Sequence, residues 1–191
     1  MNQEKSNKQY DGVITNCKKE FFSKNGIYGQ SWHRYRVMSL LEKLCIKLER
    51  IKKIQHVKTQ KVDDPIESEF PAIINYCIIG RVKCQEWRQK LPSDNELSKE
   101  DLERLYDEQV EKIKQVFQKK NHDYNESWRR RTIGFMVDEM LVKYDRAESI
   151  NKLTGIEEDN RIEKFEEILT DICNYAIFCK IRIDEGTDPM I

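Results

Sequence analysis

The sequence carries the same polar and aromatic motifs twice, at a nearly constant spacing. Residues 10–50 and 106–146 are identical at 12 of 41 positions aligned without a gap, where chance gives only a few. Later motifs are offset by 99 rather than 96 residues, so one loop differs by three residues. Shared helical packing alone would mainly preserve apolar residues, whereas polar and aromatic ones dominate here. The chain therefore contains two copies of one unit, copy one and copy two, and that unit is expected to carry a site.

The repeated motifs are short and come in a fixed order. They are Tyr-Asp at Tyr10 and Tyr106, Lys-Asn-x-x-Tyr-x-x-Ser-Trp-x-Arg at Lys24 and Lys120, Lys-x-x-Arg at Lys47 and Lys143, and Asn-Tyr at Asn75 and Asn174. Because these motifs occur in both copies, we expect them to be common to the unit, where they either pack the helices or hold a substrate.

Composition narrows the classes of function. Charged residues make up 36% of the 191 residues, yet the formal net charge is zero, so a strongly basic nucleic-acid binder is not indicated. We recognise neither a signal peptide nor an apolar run long enough to cross a membrane, and we expect a cytoplasmic protein. The six cysteines have no C-x-x-C spacing and replace apolar residues between copies, so we interpret them as reduced core thiols rather than zinc ligands.

Hydrophobic periodicity predicts three helices in each copy and no strand. The first helix is predicted over about 5–24 and 98–120, and the third over about 66–88 and 161–184. The second helix has i, i+3, i+4, i+7 apolar spacing in both copies. Its apolar positions are Val37, Leu40, Leu41, Leu44, Leu48 and Ile51 in copy one, and Ile133, Met136, Val137, Met140, Tyr144 and Ala147 in copy two.

The fold class that follows is all-α. We predict a pseudo-twofold helical bundle made of two tandem three-helix repeats, in which repeat 1 spans 5–90, a linker spans 91–97 and repeat 2 spans 98–185. Units of about 90 residues are small for independent cores, so both are expected to pack into one globular body.

Local signals predict where several helices begin and end. Ser98 and Asp101 resemble a capping box. Asp64 and Pro65 suit a cap and first turn, although Pro71 then lies deep enough that the helix starts nearer Ser68 or is kinked. The glycines Gly26 and Gly29 predict a turn after the first helix of copy one.

Acidic residues form a stripe on the third helix of copy two. Glu163, Glu167 and Asp171 follow one another at i+4 steps and share one face. A divalent cation or partner bases would remove their mutual repulsion, and Mg²⁺ suits such a site because it prefers oxygen ligands. The alternative is a solvated, salt-bridged face, which is common in a chain this charged.

The repeated aromatic and basic residues allow two interpretations as well. Trp32 and Trp128 either pack in the core at a helix start or form a wall against which a base stacks. The run Arg129-Arg130-Arg131 either holds phosphate or forms a basic helix edge. A third interpretation is single-stranded nucleic-acid binding through the tryptophans and arginines, which zero net charge disfavours.

Taken together, these motifs resemble the nucleotide modification associated domain family. The resemblance is carried by Lys120-Asn121-His122-Asp123-Tyr124 with Trp128-Arg129, by Asp138, Lys143 and Arg146, and by Asp171-Ile172-x-Asn174-Tyr175. It covers nearly the whole chain, twice. That family in turn resembles the MazG-like all-α NTP pyrophosphatase superfamily, in which acids on two helices bind Mg²⁺ and an NTP is split into NMP and pyrophosphate.

The resemblance implies a Mg²⁺-dependent nucleoside triphosphate pyrophosphohydrolase-like protein that acts on an NTP or dNTP, with or without a modified base, at one site in copy two. The expected catalytic acids are Asp138, Glu139, Glu167 and Asp171, and the expected metal ligands are Asp138, Glu167 and Asp171. The expected substrate contacts are Lys120, Asn121, Asp123, Tyr124, Trp128, Arg129, Lys143, Arg146 and Asn174. Copy one is expected to supply the other wall of the cleft, and association into a homodimer stays open.

Departures from the family pattern support an alternative. Copy one has Ile27 and Ala72 where copy two has Asp123 and Asp171. Copy two has Asn125 in place of the motif's glycine, and asparagine also adopts a left-handed turn. The superfamily's E-x-x-D spacing is absent from copy two. The alternative is a non-catalytic nucleotide-binding or scaffold protein that retains the fold.

Overall fold

The described part of the chain, residues 3–91 and 96–188 of a computed structural model, is helical and contains no strand. The α-helices are α1 (Gln3–Tyr28), α2 (Val37–Val57), α3 (Glu69–Arg88), α4 (Lys99–Asp123), α5 (Ile133–Lys152) and α6 (Glu158–Asp184). Short 3₁₀ turns lie at Ser31–Arg34, Ile66–Ser68 and Ser127–Arg130. The predicted all-α fold with three helices per copy is confirmed. None of these helices is long and apolar enough to cross a membrane.

Two of the predicted helix starts have different outcomes. Ser98 caps α4, because its hydroxyl accepts a hydrogen bond of 3.0 Å from the Asp101 N–H. The predicted Asp64-Pro65 cap for α3 is wrong, since a 3₁₀ turn intervenes. The predicted alternative, a start nearer Ser68, is confirmed, because α3 begins at Glu69 and Ser68 is its N-cap residue. Pro71 is thereby the third residue of α3, where a helix leaves the N–H unpaired, and it needs no kink.

Left-handed residues end the first helix of each copy at equivalent positions. Helix α1 continues through Gly26, so only Gly29, with φ of +65°, forms the predicted turn. The equivalent Asn125 has φ of +50°, which confirms its left-handed conformation, and Glu126 follows with φ of +52°. Asparagine pays less for this conformation than most side chains, because its short polar group bonds locally.

The core is built from the second and third helices of both copies. Helix α3 packs along α6 and α2 packs along α5, while α2 also contacts α3 and α5 contacts α6. All six predicted apolar positions of α2 are buried, and those of α5 are buried except for the partly exposed Tyr144. All six cysteines are free thiols; five are buried and Cys45 is partly exposed.

The first helices cross between the copies. In α1, Tyr10 donates a hydrogen bond to Asn174 Oδ1 of copy two at 3.3 Å, and in α4, Tyr106 donates to Asn75 Oδ1 of copy one at 2.7 Å. Burial raises the pKa of both phenols well above the usual value, so they remain donors. Exposed ion pairs also join the first helices of the two copies. Lys18 pairs with Asp107, and Lys114 pairs with Asp11. This reciprocity is the signature of a pseudo-twofold arrangement.

The predicted linker is described only at its ends, because residues 92–95 of 91–97 lie outside the described residues. Its last residue is fixed to copy one. The Gln30 side chain donates to the Leu97 carbonyl at 2.7 Å and accepts from the Leu97 N–H at 3.0 Å. The exact boundaries between the repeats stay a prediction.

Removing one phenol hydroxyl tests the tyrosine–asparagine hydrogen bonds that join the two copies. In Tyr106→Phe, the buried Asn75 Oδ1 loses its donor, and we expect the free energy of unfolding to fall by about 1–2 kcal/mol. The matched variant Tyr10→Phe removes the longer bond to Asn174, so a smaller loss is expected. Urea unfolding followed by circular dichroism measures both, and a larger loss for Tyr10→Phe contradicts the assignment.

Candidate functional site

The repeated motifs converge on two equivalent cavities. The copy-two cavity has a volume of about 360 Å³, and the copy-one cavity has a volume of about 340 Å³. Of the fourteen residues lining each, twelve occupy equivalent positions in the two copies, so the cavities are one feature present twice. The copy-two cavity is lined by residues 117–178 alone. The expectation that copy one closes the cleft is therefore wrong, and each copy forms its own cavity.

Two lysines meet on one carboxylate in the copy-two cavity. Lys120 Nζ lies 2.6 Å from one oxygen of Asp171, and Lys143 Nζ lies 2.6 Å from the other. Burial favours a raised pKa for Asp171, but the two lysine hydrogen bonds outweigh it and lower the pKa below the usual range. The carboxylate thus stays ionised and holds two ammonium groups side by side at the cavity wall.

Copy one distributes its charges differently. Ala72 occupies the position of Asp171, and Lys47 instead contacts Glu69 at 2.7 Å, together with Arg50. Burial favours a raised pKa for Glu69, and hydrogen bonds from Lys47 and Arg50 outweigh it and lower the pKa. Lys24 pairs with Glu20 on its own helix.

Glu69 is a residue that the sequence analysis missed. At the offset of 99, Glu69 corresponds to Ile168 of copy two, and it lies three residues before Ala72. An acid opposite an apolar residue is the signal in the sequence that could have identified it. Each copy therefore has one carboxylate on its third helix that contacts the equivalent lysine, Lys47 or Lys143, but the two carboxylates lie at different positions of that helix.

The tryptophan of each copy is packed rather than open. Trp128 stacks on Phe178 with ring centroids 4.5 Å apart, and the Arg129 guanidinium lies 4.3 Å from the Trp128 ring centroid. Phe178 and the Arg129 guanidinium both lie too close to the Trp128 ring to occupy the same face of it. Each therefore covers one face of Trp128. Trp128 Nε1 donates to Asn121 Oδ1 at 2.9 Å, and the Trp32–Asn25 pair repeats this bond at 3.3 Å. The repetition of asparagine and tryptophan is thus explained by their bond to each other.

The exposed aromatic residues are the tyrosines. Tyr124 in the copy-two cavity is 66% exposed, and Tyr28 in the copy-one cavity is 73% exposed. Phe135 also lines the copy-two cavity and is 43% exposed. A planar ligand therefore has an accessible ring at the mouth of each cavity.

Of the arginines beside Trp128, the one that lines the cavity is Arg131. The predicted phosphate ligand Arg129 instead donates to Ser6 Oγ and Gln9 Oε1 of α1, each at 2.7 Å. Its side chain is thus used to join copy two to copy one. Arg131 is exposed, and its guanidinium lies 5.8 Å from the Phe135 ring centroid.

Asn174 lines the copy-two cavity and has a buried donor that no described residue uses. It is only 5% exposed, its Oδ1 accepts from Tyr10, and its Nδ2 has no hydrogen-bond partner among the described residues. The equivalent Asn75 Nδ2 donates to the Cys17 carbonyl at 3.0 Å. A buried amide without an acceptor is costly, and a ligand oxygen would remove that cost.

The other predicted site residues are not among those that line the cavity. Asp138 pairs with Lys52 of α2, Glu167 pairs with Lys164, and Asp123 contacts His122, all at exposed positions. Arg146 is also exposed, and Glu139 is half-buried. Of the four expected catalytic acids, the one that lines the cavity is Asp171.

A magnesium ion does not fit the residues as they are arranged. Within 3–91 and 96–188, no three His, Cys, Asp or Glu side chains are close enough to hold a metal ion. Both oxygens of Asp171 are taken by ammonium groups. Mg²⁺ requires oxygen donors, and two lysines at the same carboxylate oppose a further cation there.

A comparison with family models supports the resemblance drawn from the motifs. The model described as nucleotide modification associated domain 1 matches the chain twice, over residues 24–84 and 120–183. The two matches begin at the equivalent lysines Lys24 and Lys120. No curated protein and no solved structure matches the chain, so the relation to the MazG-like superfamily stays a prediction.

Replacing Asp171 tests the lysine pair. Because the folded pKa is below the ordinary value of about 3.9, the stabilisation is present above that value and is lost as pH falls through the folded pKa. We expect Asp171→Asn to lower the free energy of unfolding at pH 7 by about 1–3 kcal/mol and to flatten its fall in acid. Urea unfolding at several pH values measures both.

The matched control is Glu167→Gln on the same helix. This variant removes an exposed pair with Lys164, for which about 0–1 kcal/mol is typical, and it is expected to leave the acid dependence near that of the wild type. Equal acid dependence in Asp171→Asn and the wild type contradicts the role given to Asp171.

Proposed function

Because the chain belongs to the nucleotide modification associated domain 1 family through both of its halves, we propose that it binds a nucleotide in the copy-two cavity. The phosphate lies against Lys120, Lys143 and Arg131, and the base lies against Tyr124. The observation that carries the proposal is the pair of ammonium groups held on Asp171 at the wall of this cavity.

The charges around the cavity favour an anion. Lys120, Lys143 and Arg131 contribute three positive charges, against the single negative charge of Asp171. Glu126 also lines the cavity, but its carboxylate is 3.7 Å from the Arg129 guanidinium, which compensates it. Each ammonium has three donors, so both lysines can bond phosphate oxygens while still contacting Asp171. The carboxylate then acts as an orienting group for the two lysines.

The volume and lining of the cavity suit a nucleotide. A volume of about 360 Å³ lies within the range of small-molecule sites, which is roughly 300–1,000 Å³. The exposed ring of Tyr124 offers a stacking surface, whereas both faces of Trp128 are already covered. Asn174 Nδ2 supplies a donor for an oxygen of the base or sugar.

The second candidate is a Mg²⁺-dependent pyrophosphohydrolase acting on an NTP or dNTP, including one with a modified base. The presence of Asp171 among the cavity residues favours it. The positions of Asp138, Glu139 and Glu167 outside the cavity lining do not. Binding without hydrolysis is accordingly the leading form of the proposal.

Removing one lysine tests the phosphate contact. Calorimetry with the four canonical dNTPs in EDTA identifies the tightest ligand, and Lys143→Met is expected to weaken its binding at least about tenfold, because a charged hydrogen-bond donor is lost. The matched control Lys52→Met removes an exposed lysine that pairs with Asp138 and is expected to bind like the wild type. No binding by the wild type, or equal binding by Lys143→Met, overturns the proposal.

A separate assay distinguishes binding from turnover. Pyrophosphate release is measured with canonical and modified dNTPs, with Mg²⁺ present and with it omitted. We expect no release at ligand concentrations that saturate binding, because Asp171 is the one predicted catalytic acid in the cavity lining and both of its oxygens are held by lysines. Release that needs Mg²⁺ and is abolished in Asp171→Ala supports the pyrophosphohydrolase instead.

A further inference from the structure

The copy-one cavity has the same construction as the proposed nucleotide site. Its volume is about 340 Å³, and its lining includes Lys24, Lys47 and Tyr28 at the positions of Lys120, Lys143 and Tyr124. Tyr28 is the more exposed of the two tyrosines, so its ring is accessible. A cavity is therefore present although copy one has Ala72 where copy two has Asp171.

The lysines of this cavity remain able to meet an anion. Lys24 pairs with Glu20, an exposed partner one turn away on the same helix, and such pairs are weak. Lys47 shares Glu69 with Arg50, so two cations surround one carboxylate. Ala72 places a methyl group where copy two has a negative charge, so nothing at that position repels a phosphate.

An unused buried donor occurs here as well, but on a different residue. Asn25 Nδ2 is buried and has no hydrogen-bond partner in the described ranges. In copy two the equivalent Asn121 Nδ2 faces Glu126 at 3.4 Å, and the unused donor is Asn174 Nδ2. Each cavity thus pairs repeated lysines and an exposed tyrosine with one unsatisfied amide.

We propose that the copy-one cavity is a second binding site for a nucleoside 5′-phosphate, so that each chain binds two. Lys24 and Lys47 contact the phosphate, Tyr28 stacks on the base and Asn25 donates to a ligand oxygen. The inference rests on the proposed function, since it assigns the same class of ligand to the equivalent cavity.

The three tryptophans allow the two sites to be observed separately. Trp32 lines the copy-one cavity, Trp128 lines the copy-two cavity and Trp87 lines neither. Protein labelled with 5-fluorotryptophan is titrated in EDTA with whichever canonical dNTP binds most tightly, and ¹⁹F resonances are assigned with single Trp→Phe variants. We expect the Trp32 and Trp128 resonances to shift, Trp87 to stay in place, and calorimetry to give two ligands per chain.

Matched variants at the exposed tyrosines connect each resonance to its cavity. Tyr28→Ala is expected to weaken the binding seen at Trp32 about tenfold while leaving the Trp128 curve unchanged, because one stacking ring is lost. Tyr124→Ala is expected to do the reverse. Both side chains are largely exposed, so neither change should unfold the protein, and circular dichroism checks this.

The outcomes separate the two proposals. A shift confined to Trp128, with one ligand per chain, overturns the second site and leaves the copy-two site standing. A shift confined to Trp32 overturns the copy-two site and the count of two ligands per chain, and it leaves the copy-one site standing. If neither resonance shifts, both proposals fail.

Discussion

The reciprocal bonds between tyrosine and asparagine are the interaction on which the rest of the structure depends. Tyr10 of copy one reaches Asn174 of copy two, and Tyr106 of copy two reaches Asn75 of copy one. Both phenols are fully buried, so each copy needs the other's first helix to satisfy a polar group in its own third helix. The same asparagines line the two cavities, which makes the cavity walls depend on the joining of the copies.

The two copies place the carboxylate that contacts their second repeated lysine at different positions. Asp171 in copy two and Glu69 in copy one each hold a repeated lysine, yet they lie at non-equivalent positions of the third helix. In both copies a carboxylate compensates the half-buried ammonium group of this lysine. An acid at either position of the third helix can do so. The two cavities keep the same lysines and tyrosines and differ in the charge that orients them.

Much of the fold could be predicted from the sequence, because amphipathic periodicity is a local property. The stripes of α2 and α5 were assigned correctly from their spacing, and Ser98 was recognised as a cap from its residue type. For α3 the sequence allowed a start at Asp64-Pro65 or one nearer Ser68. The structure has the second, and the buried Ile66 begins a 3₁₀ turn between the two positions. For the site, the lysines and tyrosines that line the cavities were found through repetition, whereas Glu69 was missed because its counterpart is Ile168.

The sequence by itself determined that this chain is a duplicated, all-α member of its family, because repetition and periodicity are written in residue order. Only the tertiary structure decided which repeated residues share a cavity and which hold each other. Arg129 and Trp128 are used in packing, Asp171 is neutralised by lysines from two helices, and Asp138 faces α2 instead of the cavity. Such assignments depend on which groups approach within hydrogen-bonding distance across helices, and spacing along one helix does not contain that information.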